Sequence, residues 1–219
     1  MDETVESRPQ SPAPRPRKKR FQLIRDFALA DFITLGNAAS GTAAIFLCLN
    51  YLDGGDRFWL LLAMFLMPVA FVCDALDGMV ARWRHKHSPY GADLDSLADT
   101  VSFGVAPAVL GFTLGMRGVW DSLILLYFVC CGISRLARFN VTAETLTTSP
   151  GKVAYFEGTP IPTSLAIVAV LAVAFGQGAT GANLWFGSVR VLGATLHPLA
   201  LLYAVSGSLM ISTIRIPKP

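Results

Sequence analysis

Charge is what this sequence has least of. Only 15% of its 219 residues are Asp, Glu, Lys or Arg, against about 25% in an ordinary soluble domain. With 53% hydrophobic residues and a mean hydropathy of +0.51, that shortage argues against a water-soluble globule. Cysteine is scarce too. Cys48, Cys73, Cys130 and Cys131 form no C-x-x-C pair and fall in apolar stretches, so they read as small packing residues rather than a redox or zinc centre. His85 and His87 belong to a basic loop and have no zinc-ligand spacing. No internal repeat suggests a transporter built of two halves.

What is present is a series of long uncharged runs. Phe32–Leu52, Ile161–Val189 and Val191–Ile214 contain no charged residue, and shorter runs cover Phe58–Cys73, Thr100–Met116 and Ser122–Ser134. A membrane span needs about 20 apolar residues. The pattern predicts an all-α integral membrane protein of six transmembrane helices, at about 28–52, 58–84, 93–116, 120–140, 160–176 and 193–214. Residues 1–20 form a separate tail, rich in Pro, Ser, Arg and Lys and ending in Arg15-Pro-Arg17-Lys18-Lys19-Arg20. Its composition predicts disorder, with room for a juxtamembrane helix before the first span. No apolar core with a cleavage site follows directly, so it does not read as a secretory signal. Ahead of a membrane domain, its charge reads as a topogenic cluster, not a nucleic-acid tail.

Six spans place both termini on one side. Fifteen of the 18 Lys and Arg residues fall on that side, leaving Arg57, Arg117 and Arg190 on the other. The positive-inside rule makes the termini and the loops near 84–92 and 140–159 cytoplasmic.

Against this background four carboxylates stand out. Asp74, Asp77, Asp95 and Asp99 lie at the cytoplasmic ends of the second and third expected spans. Each costs roughly 2.5–3.5 kcal/mol on insertion scales at a span's centre, so four together need a shared reason. At about 100° per residue, Asp74, Asp77, Gly78, Ala81 and Arg82 share an arc of about 140° on one helix. Asp95, Asp99 and Ser102 share a face of the next. The short link between the helices makes them antiparallel neighbours whose carboxylates converge. An all-oxygen site suits hard cations, Mg²⁺ or Mn²⁺, and two such ions can clamp a phosphoryl group. Gly78 and Ala81 leave the backbone bare for a ligand, and Arg82 is placed for a phosphate. Two other readings of the quartet are an ionic network with Arg82, Arg84 and Arg135, and a site for a transported cation. A transport pathway has no use for an arginine beside its carboxylates.

The run D-x-x-D-G-x-x-A-R-x8-G-x-x-x-D-x-x-x-D, from Asp74 to Asp99, resembles the signature of the CDP-alcohol phosphotransferase family. The resemblance implies a six-helix membrane enzyme, usually a homodimer, over residues 21–219. It implies Asp74, Asp77 and Asp95 as ligands of two divalent ions, and Asp99 as general base that also touches metal. Gly78, Ala81, Arg82 and Ser88 would meet the CDP-diacylglycerol headgroup. Asp31 and Thr34 match loosely the family's nucleotide-contacting segment, with Ala30 where the family has proline.

The acceptor alcohol is set by other residues. The segments Asp95-Ser-Leu-Ala-Asp99-Thr-Val-Ser-Phe-Gly, Ser134-Arg135-Leu-Ala-Arg138-Phe-Asn140 and Tyr155-Phe-Glu157-Gly-Thr-Pro resemble the serine-using branch of the family. That implies phosphatidyl transfer to serine on the cytoplasmic side of the inner membrane, with no nucleic-acid partner. Ser102, Arg135, Arg138, Asn140 and Glu157 are the candidate acceptor contacts. A guanidinium fork suits a carboxylate, and Asn140 or Glu157 could meet an ammonium. Alternative roles remain for these residues: membrane anchoring or lipid-phosphate contact for the arginines, helix packing for Ser102, a solvated loop position for Glu157. Other acceptors, among them glycerol 3-phosphate, an inositol phosphate and choline, also stay open, as does an archaeal-type lipid donor.

Overall fold

The computed structural model describes residues 29–84, 91–147, 155–212 and 215–217. The tail of residues 1–20, the expected juxtamembrane helix, His85, His87 and Ser88 lie outside them. Among the described residues, four helical segments are long and apolar enough to cross a membrane: Leu29–Gly54, Arg57–Trp83, Gly91–Leu114 and Val119–Thr142. In chain order they are α1 (Leu29–Gly54), α2 (Arg57–Arg84), α3 (Gly91–Asp99) continued through a π segment (Thr100–Val105) into α4 (Ala106–Leu114), and α5 (Val119–Thr147). At about 1.5 Å per residue, α1 with its 26 residues is about 39 Å long, enough for a hydrocarbon core of about 30 Å.

The segment Gly91–Leu114 is the central one. Of its most apolar window 67% is buried, against 28% for each of the other three long segments. The outer helices turn large side chains such as Phe46, Phe65, Leu123 and Leu126 outward. In water such a surface would be a liability; facing lipid it is the expected one. The inner face of α1 carries mostly small residues. On α1 the buried stripe is Ala30, Asp31, Thr34, Asn37, Gly41, Ala44 and Cys48, at helical spacing. Small residues let the backbones approach closely.

The π segment has a local cause. Pro107 has no N–H, and its ring would clash with the carbonyl four residues earlier. The helix widens just before it, so that the Ala106 N–H reaches back to the Val101 carbonyl. The Pro107 carbonyl accepts the Tyr203 hydroxyl at 2.6 Å, with Tyr203 fully buried.

The C-terminal third departs from the expected spans. The apolar helices Ile161–Gly176 and Pro198–Ile211 are shorter than the other four. Each begins as a 3-10 turn, at Ile161–Ser164 and Pro198–Ala200, before α6 (Leu165–Gly176) and α7 (Leu201–Ile211). The helix expected from residue 193 starts later, because residues 189–196 fold as a hairpin. There β2 (Val189–Val191) pairs antiparallel with β3 (Ala194–Leu196) around Leu192 and Gly193, both at positive φ. A second ribbon pairs β1 (Tyr155–Glu157) with β4 (Arg215–Pro217). Among the described residues the regular structure is therefore helical apart from two ribbons of paired three-residue strands. α5 also runs past the expected end near residue 140, to Thr147.

The end of the bundle remote from the aspartates is tied by polar contacts. Asp121 is fully buried near the start of α5. It accepts from the backbone N–H groups of Gly118 at 2.9 Å and His197 at 2.7 Å, and its Oδ2 lies 2.6 Å from His197 Nδ1. Trp120 Nε1 donates to the Val191 carbonyl at 2.9 Å, holding the hairpin against α5. Arg57 donates to the Phe175 carbonyl at 3.0 Å and lies over its ring, joining α2 to the end of α6.

Candidate functional site

Three helices build the site. Asp74 and Asp77 come from the last third of α2, Asp95 and Asp99 from α3. Asp74, Asp95 and Asp99 each offer a carboxylate oxygen, and these three lie within 4.8 Å of one another. The side chains come from two helices joined by a short link, as their spacing predicts. Asp77 stands beside this trio rather than in it. Its Oδ2 accepts the Thr34 hydroxyl at 2.6 Å, and it remains within electrostatic range of Asp95 and Asp99.

The third helix is α1, and it contributes uncharged donors. Thr34 meets Asp77, and one turn further Asn37 Nδ2 donates to Asp99 Oδ1 at 3.1 Å. The Asn37 carbonyl accepts the Ser102 hydroxyl at 2.9 Å. One turn on again, a Cβ at Gly41 would lie 2.7 Å from Ser102 Cα, so glycine is what lets the π segment seat against α1. Asn37 and Ser96 were not singled out from sequence, although a polar residue three positions after Thr34 in an uncharged run was an available signal.

The donor set fits a divalent cation. Like charges converge at Asp74, Asp95 and Asp99, and a hard cation takes oxygen ligands of this kind. Asp95 Oδ1 is buried without a hydrogen-bond partner among the described residues, which an ion would resolve. Asp77 and Asp99 are buried and Asp74 and Asp95 half-buried, so little water is available to screen them.

The other expected contacts divide. Gly78 borders open space, with nothing within 4 Å of where its Cβ would stand, and Ala81 is half-buried while Arg82 is exposed beyond it. Asp31 is buried on α1 within electrostatic range of Asp77. Arg135 is half-buried within electrostatic range of Asp99, its guanidinium 5.5 Å from the Phe139 ring centre. Arg138 is exposed on the same helix. Asn140 is spent on α3: its Nδ2 donates to Ser96 Oγ at 2.9 Å, and Ser96 Oγ lies 3.2 Å from its Oδ1. Ser102, expected near the acceptor, is fully buried, with its hydroxyl engaged by Asn37. It holds helices together and offers no surface to a substrate. Glu157 lies in β1; its side chain falls outside the described residues.

Fold and site together define a multi-pass membrane protein with a carboxylate cluster suited to a divalent ion. The chain belongs to the CDP-alcohol phosphatidyltransferase family, whose model matches residues 27–205. Among its relatives is the CDP-diacylglycerol–serine O-phosphatidyltransferase of Saccharomyces cerevisiae, 43% identical over 205 residues, covering 91% of this chain and 74% of that protein. The proteins of the same name from Mycobacterium bovis and Methanocaldococcus jannaschii are also similar. The first is 36% identical, over 66% of this chain and 53% of its own length. The second is 31% identical, over 90% of this chain and 78% of its own length.

Proposed function

We propose that the protein transfers a phosphatidyl group from CDP-diacylglycerol to the hydroxyl of L-serine, giving phosphatidylserine and CMP. The observation that carries this reading is the convergence of Asp74, Asp95 and Asp99 within 4.8 Å, in a chain whose family match runs from residue 27 to 205. The choice of serine follows the names of its relatives.

Asp74, Asp77, Asp95 and Asp99 would hold Mg²⁺ or Mn²⁺, in a site for two ions. The bound metal supplies positive charge against the pyrophosphate and the leaving nucleotide. Gly78 and Ala81 admit the headgroup against bare backbone. Arg82 and Ser88 contact its phosphates, and Asp31 and Thr34 face the nucleotide end. The serine hydroxyl attacks the phosphorus bearing the diacylglycerol, a new P–O bond forms, and the P–O bond to CMP breaks. Asp99 takes the hydroxyl proton, as a general base within reach of the attacking oxygen. Arg135, electrostatically coupled to Asp99, holds the serine carboxylate with Arg138, while Glu157 attends the ammonium. Asn140, paired with Ser96, shapes this pocket from α5.

The helices at 161–176 and 198–211 complete a six-span domain, with the basic tail and the aspartates on the cytoplasmic side of the inner membrane. Two copies associate as a homodimer. The lipid substrate enters from the inner leaflet with its acyl chains in the bilayer. Purified protein with CDP-diacylglycerol, Mn²⁺ or Mg²⁺ and labelled serine is expected to release CMP and form labelled phosphatidylserine. Release of CMP with another alcohol but not with serine would overturn the acceptor assignment.

A further inference from the structure

We propose that Asn37 is a positioning residue for the Asp99 carboxylate. The proposal rests on Asp99 as proton acceptor and adds a residue to that machinery. Asn37 is fully buried in the middle of the inward stripe of α1. Its Nδ2 donates to Asp99 Oδ1 at 3.1 Å, and its own carbonyl accepts from Ser102 Oγ at 2.9 Å. Ser102 stands three residues after Asp99, inside the π segment. One residue of α1 therefore grips both the carboxylate and the turn that carries it. Gly41 makes the second grip possible, because any side chain there would displace Ser102.

The geometry has a chemical consequence. An aspartate side chain on a helix has two rotatable bonds, and a hydrogen bond to Oδ1 sets the plane of the carboxylate. The direction of Oδ2 follows. A general base works only when the accepting oxygen faces the proton it removes, and a misplacement of 1 Å can cost about 10²-fold in rate. The donor is also neutral. An amide orients it without adding charge. The amide is turned with its nitrogen toward Asp99, since two facing oxygens would repel. That leaves Asn37 Oδ1 buried without a hydrogen-bond partner among the described residues, a desolvation cost that apolar packing at this position would avoid.

The test compares Asn37→Leu, near in size but lacking the donor, and Asn37→Ser, too short to reach Asp99. Each is measured for kcat, for the KM of CDP-diacylglycerol and of serine, for Mn²⁺ affinity by calorimetry, and for thermal melting. The expected result is a kcat at saturating Mn²⁺ lower by 10- to 100-fold, with both KM values within threefold of the parent. The split between kcat and KM separates orientation from a structural role, and Asn37→Ser answers if Asn37→Leu does not fold. A folded variant with parental kcat overturns the proposal. So does a loss that saturating Mn²⁺ restores, or one in which either KM changes as much as kcat. Asp99→Asn is run beside them: full turnover there removes the base assignment itself, whereas an inactive Asp99→Asn beside a fully active Asn37→Leu removes this inference alone.

Discussion

The Thr34 hydroxyl donates to Asp77 Oδ2 at 2.6 Å, between two side chains 43 positions apart in the chain. Both are buried, so the bond joins α1 to α2 at the site rather than decorating its rim. Thr34→Val keeps the shape and removes the donor. The buried acceptor left behind costs about 1–3 kcal/mol. Turnover is expected to fall about 5- to 100-fold, with a higher Mn²⁺ concentration needed for half-maximal rate. Steady-state kinetics across a metal titration check this.

Asp99→Asn keeps the side-chain size and removes the proton acceptor. General-base contributions run to about 10²–10⁴-fold, so kcat should fall by that order while CDP-diacylglycerol still binds. CMP release and equilibrium nucleotide binding, measured on the same preparation, separate the two effects. Full activity would remove the assignment.

Chelation should silence the enzyme reversibly. The carboxylates of Asp74, Asp95 and Asp99 that meet within 4.8 Å repel one another without a cation. Excess EDTA is expected to abolish CMP release, and added Mg²⁺ or Mn²⁺ to restore it. Thermal melting should rise when metal is returned, as a ligand that binds only the folded state stabilises it.

Arg135→Ala is expected to raise the KM for serine about tenfold or more and to leave that for CDP-diacylglycerol within threefold, the loss of one charge-assisted contact being worth about 1.5–3 kcal/mol. Equal changes in both constants would point to a lipid-phosphate contact instead.

Asp121→Ala acts at the other end of the molecule. It strips the acceptor from two backbone N–H groups and from His197 Nδ1. Removing one partner of a buried pair costs about 3–5 kcal/mol. A marked drop in melting temperature is expected, with KM values unchanged in the protein that stays folded.

Sequence and structure agree most closely where spacing alone sets geometry. The aspartates at i, i+3 on one helix and i, i+4 on the next share faces on any α-helix, and the short link turns those faces together. The meeting of Asp74, Asp95 and Asp99 follows that spacing, whereas the pairing of Asp77 with Thr34 does not follow from it. The long uncharged runs likewise set four membrane-length helices. The last expected span was less legible, because hydropathy does not distinguish a helix from the apolar hairpin of Val189–Leu196. Gly193 and Pro198 are the local turn signals there.

What the sequence determined by itself is the environment and the chemical demand: four aspartates at helical spacing in an apolar chain call for compensating positive charge, whatever the helices pack against. What only the tertiary structure decided is who holds those aspartates in place. Thr34 reads in sequence only as a loose match to a nucleotide-contacting segment, and Asn37 and Gly41 read as ordinary small or polar members of a span. They became partners of Asp77, Asp99 and Ser102 only when α1 packed against α2 and the central helix. Helical periodicity is local and can be counted along one chain segment. The partner across a helix interface depends on the relative rotation and depth of two helices, which packing alone decides.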